Sequence, residues 1–348
     1  MGWALQIEQF LGESLLHSSW VERLSRISFL GTLDDHPLSR AADSRLDHSL
    51  AVTVLGIGIS RALGLPETDQ RLIGAACLLH DIGHFPMSHA AEAGFHAALG
   101  VDHHQISEWI ILGNGPISKK RSLAPILRAC ELDPDAVWAI IRADQHNSSG
   151  VAASLFGGVI NLDTLDGIPR SAHSFGWLTD EVPANPFILL DGVLAISPLA
   201  QSAIDAFWGL KARVYGEIIN RPSNIILEFE ISRRIEHKID SSIIDTFETF
   251  CDSILRRRIG FGHPNRDILL ELDEGLVLSS EQSTSGYKVE RSVKRYQLDR
   301  LVPGSPNGLL FPDWPRRYRH YREKRFLARR DGRGPVASPN PTSIGFEK

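Results

Sequence analysis

An all-α fold with a small mixed α/β C-terminal appendage is the class the sequence predicts, and three observations carry that expectation. Up to about residue 260, apolar residues recur at three- and four-residue spacing, the period of a helix with one buried face. Hydrophobic residues make up 43% of the 348, enough for one large core, or for one domain with an appendage. Beyond residue 260 the pattern shifts to short β-type runs and then to a Pro-, Gly- and Ser-rich end. The expected division is 1–260 as the helical domain, 261–331 as the appendage and 332–348 as a disordered tail.

Taken in order, Trp20, Leu24 and Ile27 give the first helical signal, and Leu46, Leu50 and Val54 the next. Residues 71–79 place Leu72, Ile73, Ala76 and Leu79 at helical spacing. Gly64 stands where a helix C-cap belongs, and Pro66 follows it. Further helices are expected over 104–111, 122–130, 134–141, 198–219 and 241–257. Ile268-Leu269-Leu270-Glu271-Leu272 and Tyr287-Lys288-Val289-Glu290 read as strands, with a Ser-rich connection over 279–286 between them.

Composition narrows the setting. The net charge of −5 is mild and names no partner. Cys77, Cys130 and Cys251 are far apart and form no C-x-x-C pair, which fits a reducing compartment and argues against a disulfide scaffold or a zinc ribbon. The N-terminus lacks a basic start and an unbroken apolar stretch, so no secretory signal is read. No run of roughly 18 apolar residues marks a membrane span. A soluble cytoplasmic protein without membrane association is expected.

The chemistry concentrates in Leu79-His80-Asp81-Ile82-Gly83-His84-Phe85-Pro86-Met87-Ser88-His89. Three histidines and an aspartate fall on a helix end and the turn after it. His80 and Asp81 can converge on one ion near a helix terminus, Gly83 permits a sharp turn, and Pro86 limits further helix. Upstream lies Arg45-Leu46-Asp47-His48, and downstream Asp163-Thr164-Leu165-Asp166. His48, His80, Asp81 and Asp163 together give a mixed imidazole and carboxylate set, suited to a divalent Mn, Fe, Mg or Zn ion rather than a thiolate-seeking metal. Such an ion can bind a phosphoryl oxygen, lower the pKa of a water to about 7 and orient attack.

These blocks resemble the HD-domain phosphohydrolase superfamily, and within it the deoxynucleoside triphosphate triphosphohydrolase branch that holds the dGTPases and the SAM-and-HD-domain enzyme. Arg45-Leu46-Asp47-His48-Ser49-Leu50 is similar to R-F-x-H-S-L, the His80 segment to L-H-D-I-G-H-x-P-F-S-H, Asp163 to Asp166 to D-x-x-D, and His103-His104-Gln105-Ile106-Ser107 to H-E-x-x-S. The resemblance implies an HD-domain helical fold with His48, His80, Asp81 and Asp163 as metal ligands and Arg45 on substrate phosphate. It implies catalytic roles for His84 and His103, with imidazole as general acid. Glu92 would orient the catalytic histidine, and His89 would line the same pocket wall. Lys211, Arg213 and Tyr215 match a later helix near the substrate. Asp47 and Asp166 read as orienting or capping residues, His96 as an ordinary packing or surface residue, and His173 as structural as readily as catalytic.

The departures concern the substrate. Phe29 stands where the branch has a sugar-reading Gln, and Thr164 and Gly167 stand where it has a phosphate-binding Lys and a Tyr against the sugar. The loss of that Tyr is expected to open the pocket wall. The segment 316–333, from Arg316 to Arg333, mixes arginines with aromatics, a pattern able to hold phosphates and stack on single-stranded nucleic acid. The leading expectation is hydrolysis of a (d)NTP at the α-phosphate by a homo-oligomer. The alternatives are an HD-type phosphodiesterase or nuclease acting on cyclic nucleotides or single strands, and a nucleotide-sensing scaffold without turnover.

Overall fold

A computed structural model describes residues 2–143, 150–158, 160–179, 185–279, 289–298, 318–329 and 346–347. Its helices follow their caps. Ser44 opens Arg45–Ala62 with a capping box, its hydroxyl accepting from Asp47 N while the Asp47 carboxylate accepts from Ser44 N, so the helix that carries His48 has its first donors satisfied. Glu67–Leu79 runs up to His80, its C-terminal flanking residue. Asp102 caps His103–Leu112, and Asn161 forms a second capping box at Leu162–Ser174. Pro134 begins Pro134–Ile141, as the sequence predicts. Gly64 follows the first of these helices in the left-handed region, at φ +70.

These helices pack around one apolar core that takes in Leu11, Trp20, Val52, Ile73, Leu79, Phe85, Phe95, Ile106, Trp138 and Leu162. The ends of Arg45–Ala62, Glu67–Leu79 and Leu162–Ser174 meet at one place, which sets the position of the site. The apolar stretch 151–174 does not form one continuous helix. It consists of two helices, Val151–Gly157 and Leu162–Ser174, and the second carries Asp163 and Asp166.

Several expectations change at the element level. The region 198–219 is a short 3-10 turn, the helix Gln201–Arg213 and a π-helical turn Val214–Ile219. The region 241–257 divides into a 3-10 stretch, Ser241–Thr249, and the helix Asp252–Ile259. The helices His89–Leu99 and Pro222–Lys238 pack against each other. A hairpin, β1 (Phe187–Leu190) and β2 (Val193–Ile196), turns at Asp191 and Gly192, both with positive φ.

Ile268 to Leu272 are helical, within Arg266–Gly275. Asn265 caps that helix from Asp267 N and Ile268 N, and a capped run whose apolar residues face one side forms a helix despite its strand-like composition.

The strands β3 (His263–Pro264), β4 (Leu276–Ser279), β5 (Glu290–Leu298), β6 (Tyr318–Arg329) and β7 (Phe346–Glu347) complete the chain. β4, β6 and β5 form an antiparallel sheet with β6 in the middle and Lys294 opposite Arg322. The basic segment is therefore strand from Tyr318 to Arg329, its other residues lying outside the described ones. The expected strand at Tyr287 starts at Glu290, and Tyr287 and Lys288 lie outside the described residues. Of the expected tail 332–348, only β7 is described, and it pairs with β3. The sheet docks through Trp208, which is 1% exposed and donates from Nε1 to Gln297 O at 2.9 Å. An ion pair between Arg291 and Glu228 adds a second attachment.

Candidate metal centre

His48 comes from the first turn of Arg45–Ala62, His80 and Asp81 from the end of Glu67–Leu79, and Asp163 from the first turn of Leu162–Ser174. His48 Nε2 lies 3.2 Å from His80 Nε2, 3.0 Å from Asp163 Oδ1 and 3.6 Å from Asp81 Oδ2. His80 Nε2 lies 3.5 Å from Asp81 Oδ2 and 3.9 Å from Asp163 Oδ1. Four donor atoms thus face one small volume.

Each imidazole is turned toward that volume from behind. His48 Nδ1 donates to Asp166 Oδ2 at 2.7 Å, and His80 Nδ1 donates to Cys77 O at 2.7 Å. With Nδ1 carrying the proton, the Nε2 of a neutral ring presents a lone pair. Two such lone pairs 3.2 Å apart repel unless a proton or a cation lies between them and the carboxylates. The residues present therefore fit a divalent metal ion. Asp166, in turn held by Arg170 at 2.7 Å, has the orienting part that the sequence reading gave it.

The electrostatics agree. Burial alone would lower the His48 imidazole, but hydrogen bonds to Asp163 and Asp166 outweigh it and raise it to about 9. Burial would raise Asp81, yet Arg45, His80 and His84 hold it well below the usual carboxylate range. Arg45 is buried and spends its guanidinium within the protein. Nη1 donates to Asp81 Oδ2 at 2.6 Å, Nε to Ser88 Oγ at 2.8 Å and Nη2 to Phe29 O at 3.1 Å. The structure makes Arg45 the charge partner of Asp81.

A histidine wall adjoins this cluster. His84 Nε2 reaches Asp81 Oδ1 at 3.2 Å, and burial followed by the charge of Arg45 drives His84 well below its usual value, so it is neutral. Glu92 bonds His103 Nδ1 and, at 3.0 Å, His89 Nδ1. Burial opposes its ionisation, but these two histidines outweigh burial and keep it a carboxylate. His84, His89 and His103 also come close enough together to suggest a second ion. The rings of His84 and His103, however, stack 4.3 Å apart at 11°, and in-plane lone pairs on parallel rings do not converge on one cation. The side chains of Asp163 and His89 are 46% and 64% exposed, which puts the opening on their side.

The chain turns at residues 80–83 as expected, with His84 N bonded to Asp81 O at 3.0 Å, and Gly83 does so without a left-handed φ. A Cβ there would come 2.2 Å from His103 O and 2.4 Å from Ser107 N, so the glycine serves close approach. The positive φ angles fall on Met87 and Ser88 instead. Gly167 does not open the pocket wall. Phe29 fills the space beside it, its Cζ 3.4 Å from where a Cβ would stand, and its ring lies 4.8 Å from that of His48. Thr164 is taken up by the capping box with Asn161.

Lys211 and Tyr215 lie at the seam with the C-terminal part, whereas Arg213 lies over Trp177 and pairs with Glu217. The Lys211 ammonium lies 5.0 Å from the Tyr296 ring, and Tyr215 packs on Tyr296 at 4.8 Å. The residues that sequence reasoning missed are Arg23, Ser88 and Asp252. Arg23 donates to Ile82 O and His84 O, and nothing in the linear sequence ties it to that turn.

Residues 45–150 match the family model of the HD domain. The uncharacterized protein YwfO of Bacillus subtilis is 31% identical over 229 residues, which are 59% of this chain and 48% of that one. A deoxyguanosinetriphosphate triphosphohydrolase-like protein of Bartonella tribocorum is 25% identical over 214 residues, 49% of this chain and 52% of that one. The chain thus spans about half the length of these curated relatives. A phosphohydrolase from Bacteroides thetaiotaomicron has a similar fold, with a TM-score of 0.60 at 18% identity over 78% of this chain and 76% of that one. A hypothetical protein from Aquifex aeolicus has a TM-score of 0.62 at 16% identity over 92% of this chain and 93% of that one.

Proposed function

We propose that the chain is a metal-dependent phosphohydrolase acting on nucleotides, and that it hydrolyses a (d)NTP at the α-phosphate to nucleoside and triphosphate, a reading that its match to the HD-domain model over residues 45–150 supports. The observation that carries this reading is the convergence of His48 Nε2, His80 Nε2, Asp81 Oδ2 and Asp163 Oδ1 at separations of 3.0 to 3.9 Å. A divalent ion held there would polarise a phosphoryl oxygen and acidify a water. Arg45 balances the charge of Asp81 and so keeps the site from excess negative charge. His103, gripped at Nδ1 by Glu92, presents Nε2 as the acid for the leaving oxygen. His84 packs on it, and His89 lines the mouth. The curated relative named for dGTP hydrolysis supports the choice of nucleotide.

A second reading, a phosphodiesterase or nuclease, is favoured by β5 and β6, whose residues include eight Lys or Arg against two Glu. Lys294 stands opposite Arg322, and Arg295 opposite Tyr321, a spacing suited to a single-stranded polyanion. We further infer that 261–331 is an appendage to a catalytic unit formed by 1–260. Three free cysteines support a reducing, cytoplasmic setting. Exposed Val193 and Leu199 support assembly into a homo-oligomer.

Purified protein incubated with Mn²⁺ and a panel of dNTPs, NTPs, cyclic nucleotides and single-stranded DNA tests these readings. Triphosphate release is expected. Cut DNA or an opened cyclic nucleotide would move the function to the second reading. Stoichiometric metal without turnover would leave a sensing scaffold. Replacing both His80 and Asp81 with Ala should abolish metal binding and turnover together, and activity that survived would refute the metal mechanism.

A further inference from the structure

We propose that Asp252 is a positioning residue for the metal centre, because its carboxylate fixes the two backbone segments that hold Arg45 against Asp81. The proposal rests on the reading of His48, His80, Asp81 and Asp163 as metal ligands. Asp252 begins the helix Asp252–Ile259, well outside the matched span 45–150. Its Oδ1 accepts from Met87 N at 2.7 Å, and its Oδ2 accepts from Ser28 N at 3.0 Å. One carboxylate thereby joins the turn after His84 to the segment before Arg45.

Both joined segments end on Arg45. Ser88 Oγ donates to Ser28 O at 2.5 Å and accepts from Arg45 Nε at 2.8 Å. Phe29 O accepts from Arg45 Nη2 at 3.1 Å, which leaves Nη1 directed at Asp81 Oδ2 at 2.6 Å. The path from Asp252 to Asp81 is therefore an unbroken series of hydrogen bonds.

The turn needs such a hold. Met87 and Ser88 have φ of 62 and 51, and Ser88 has ψ of −136, a region that residues with side chains leave unless their surroundings fix them. The neighbouring segment braces the other end of the turn, since Arg23 donates to Phe250 O at 2.9 Å and to His84 O at 2.5 Å. Asp252 does not merely cap its own helix, because its two oxygens are taken up by Met87 and Ser28.

A residue that only glued the C-terminal helix in place would change stability. A positioning residue changes the metal affinity of the folded protein as well. The experiment is calorimetric titration of Mn²⁺ into the full chain as wild type, Asp252→Asn, Ser88→Gly and the double variant, with folding followed by circular dichroism. Asp252→Asn is expected to fold and to bind Mn²⁺ about tenfold or more weakly, the usual scale for groups that support ligands. Ser88→Gly suits the backbone angle while removing the hydroxyl, and should weaken binding similarly. The double variant should lose no more than the larger single loss, because both act through Arg45.

Wild-type affinity in folded Asp252→Asn would overturn the proposal, and so would losses that multiply in the double variant. If Asp252→Asn did not fold, unchanged affinity in Ser88→Gly would overturn it alone. A wild type that bound no Mn²⁺ would overturn the metal reading and this proposal with it. Binding that was lost in His80→Ala but intact in Asp252→Asn would overturn this proposal only.

Discussion

His48 has carboxylates at both ring nitrogens and is raised to about 9. In the metal-free protein it is therefore an imidazolium at neutral pH, and a cation entering the site must displace that proton. Apparent Mn²⁺ affinity should rise about tenfold per pH unit toward pH 9 and level off above it. Calorimetry in buffers of different ionisation enthalpy would show about one proton released per metal, and a pH-independent affinity would contradict the assignment. The stability of the metal-free protein follows the same group. Its contribution is full below the ordinary value of 6.5 and is lost as pH rises through about 9. Asp34 behaves as an acid in the wrong surroundings. Burial, and then the charges of Asp252 and Asp35, raise it to about 8, and neither of its oxygens has a partner. Stability should therefore erode as pH climbs from the ordinary 3.8 to about 8. Asp34→Asn should flatten that slope in urea midpoints measured across the range, and an unchanged slope would contradict the account. At this scale the sequence was legible where residues act in their own motif, as His48, His80, Asp81 and Asp163 do. It was silent on Arg23 and Asp252, whose partners, Ile82, His84 and Phe250 for one and Ser28 and Met87 for the other, lie in distant segments.

Pro134 marks a helix start in the sequence as it does in the structure, and the caps Ser44, Asp102 and Asn161 are visible only once the structure shows the bonds they make. Elements whose type depends on packing were not legible. Ile268 to Leu272 have strand composition, yet they form a helix because Asn265 supplies the cap and Leu269 faces the core. The β1–β2 hairpin did carry a signal, Asp191-Gly192 between apolar runs, the residue pair that a tight hairpin turn requires. The Leu162–Ser174 helix supplies the sharpest test of packing beside the ligands. A Cβ at Gly167 would stand 3.4 Å from Phe29 Cζ and 3.6 Å from Asp163 Oδ1. Gly167→Ala should be tolerated, since those are ordinary contact distances. Gly167→Leu should cost about 1–3 kcal/mol through overpacking, and Phe29→Ala in the same chain should recover part of it. Denaturant midpoints of the three variants decide the point, and a neutral Gly167→Leu would show that Phe29 does not close that wall.

The whole molecule joins a helical body of mixed charge to a basic sheet. Trp208, fully buried against Tyr296 and Tyr318, is an apolar link between them. Trp208→Ala should cost about 3–5 kcal/mol while leaving metal stoichiometry intact, as thermal melts with and without Mn²⁺ would show. If β5 and β6 hold single-stranded DNA, log K should fall with log salt by about 0.7 for each phosphate contacted, and a flat salt response would remove the sheet as a nucleic-acid surface. The body's sequence already carried the residues that converge at the candidate metal centre, whereas the sheet's attachment depended on partners such as Glu228 and Arg291 that lie in separate parts of the chain. The central claim is the location of one divalent ion. Anomalous diffraction from crystals grown with Zn²⁺ tests it most directly. One dominant peak is expected about 2.0–2.2 Å from His48 Nε2, His80 Nε2 and the carboxylate oxygens of Asp81 and Asp163. A dominant peak among His84, His89 and His103, or none at the predicted point, would contradict it.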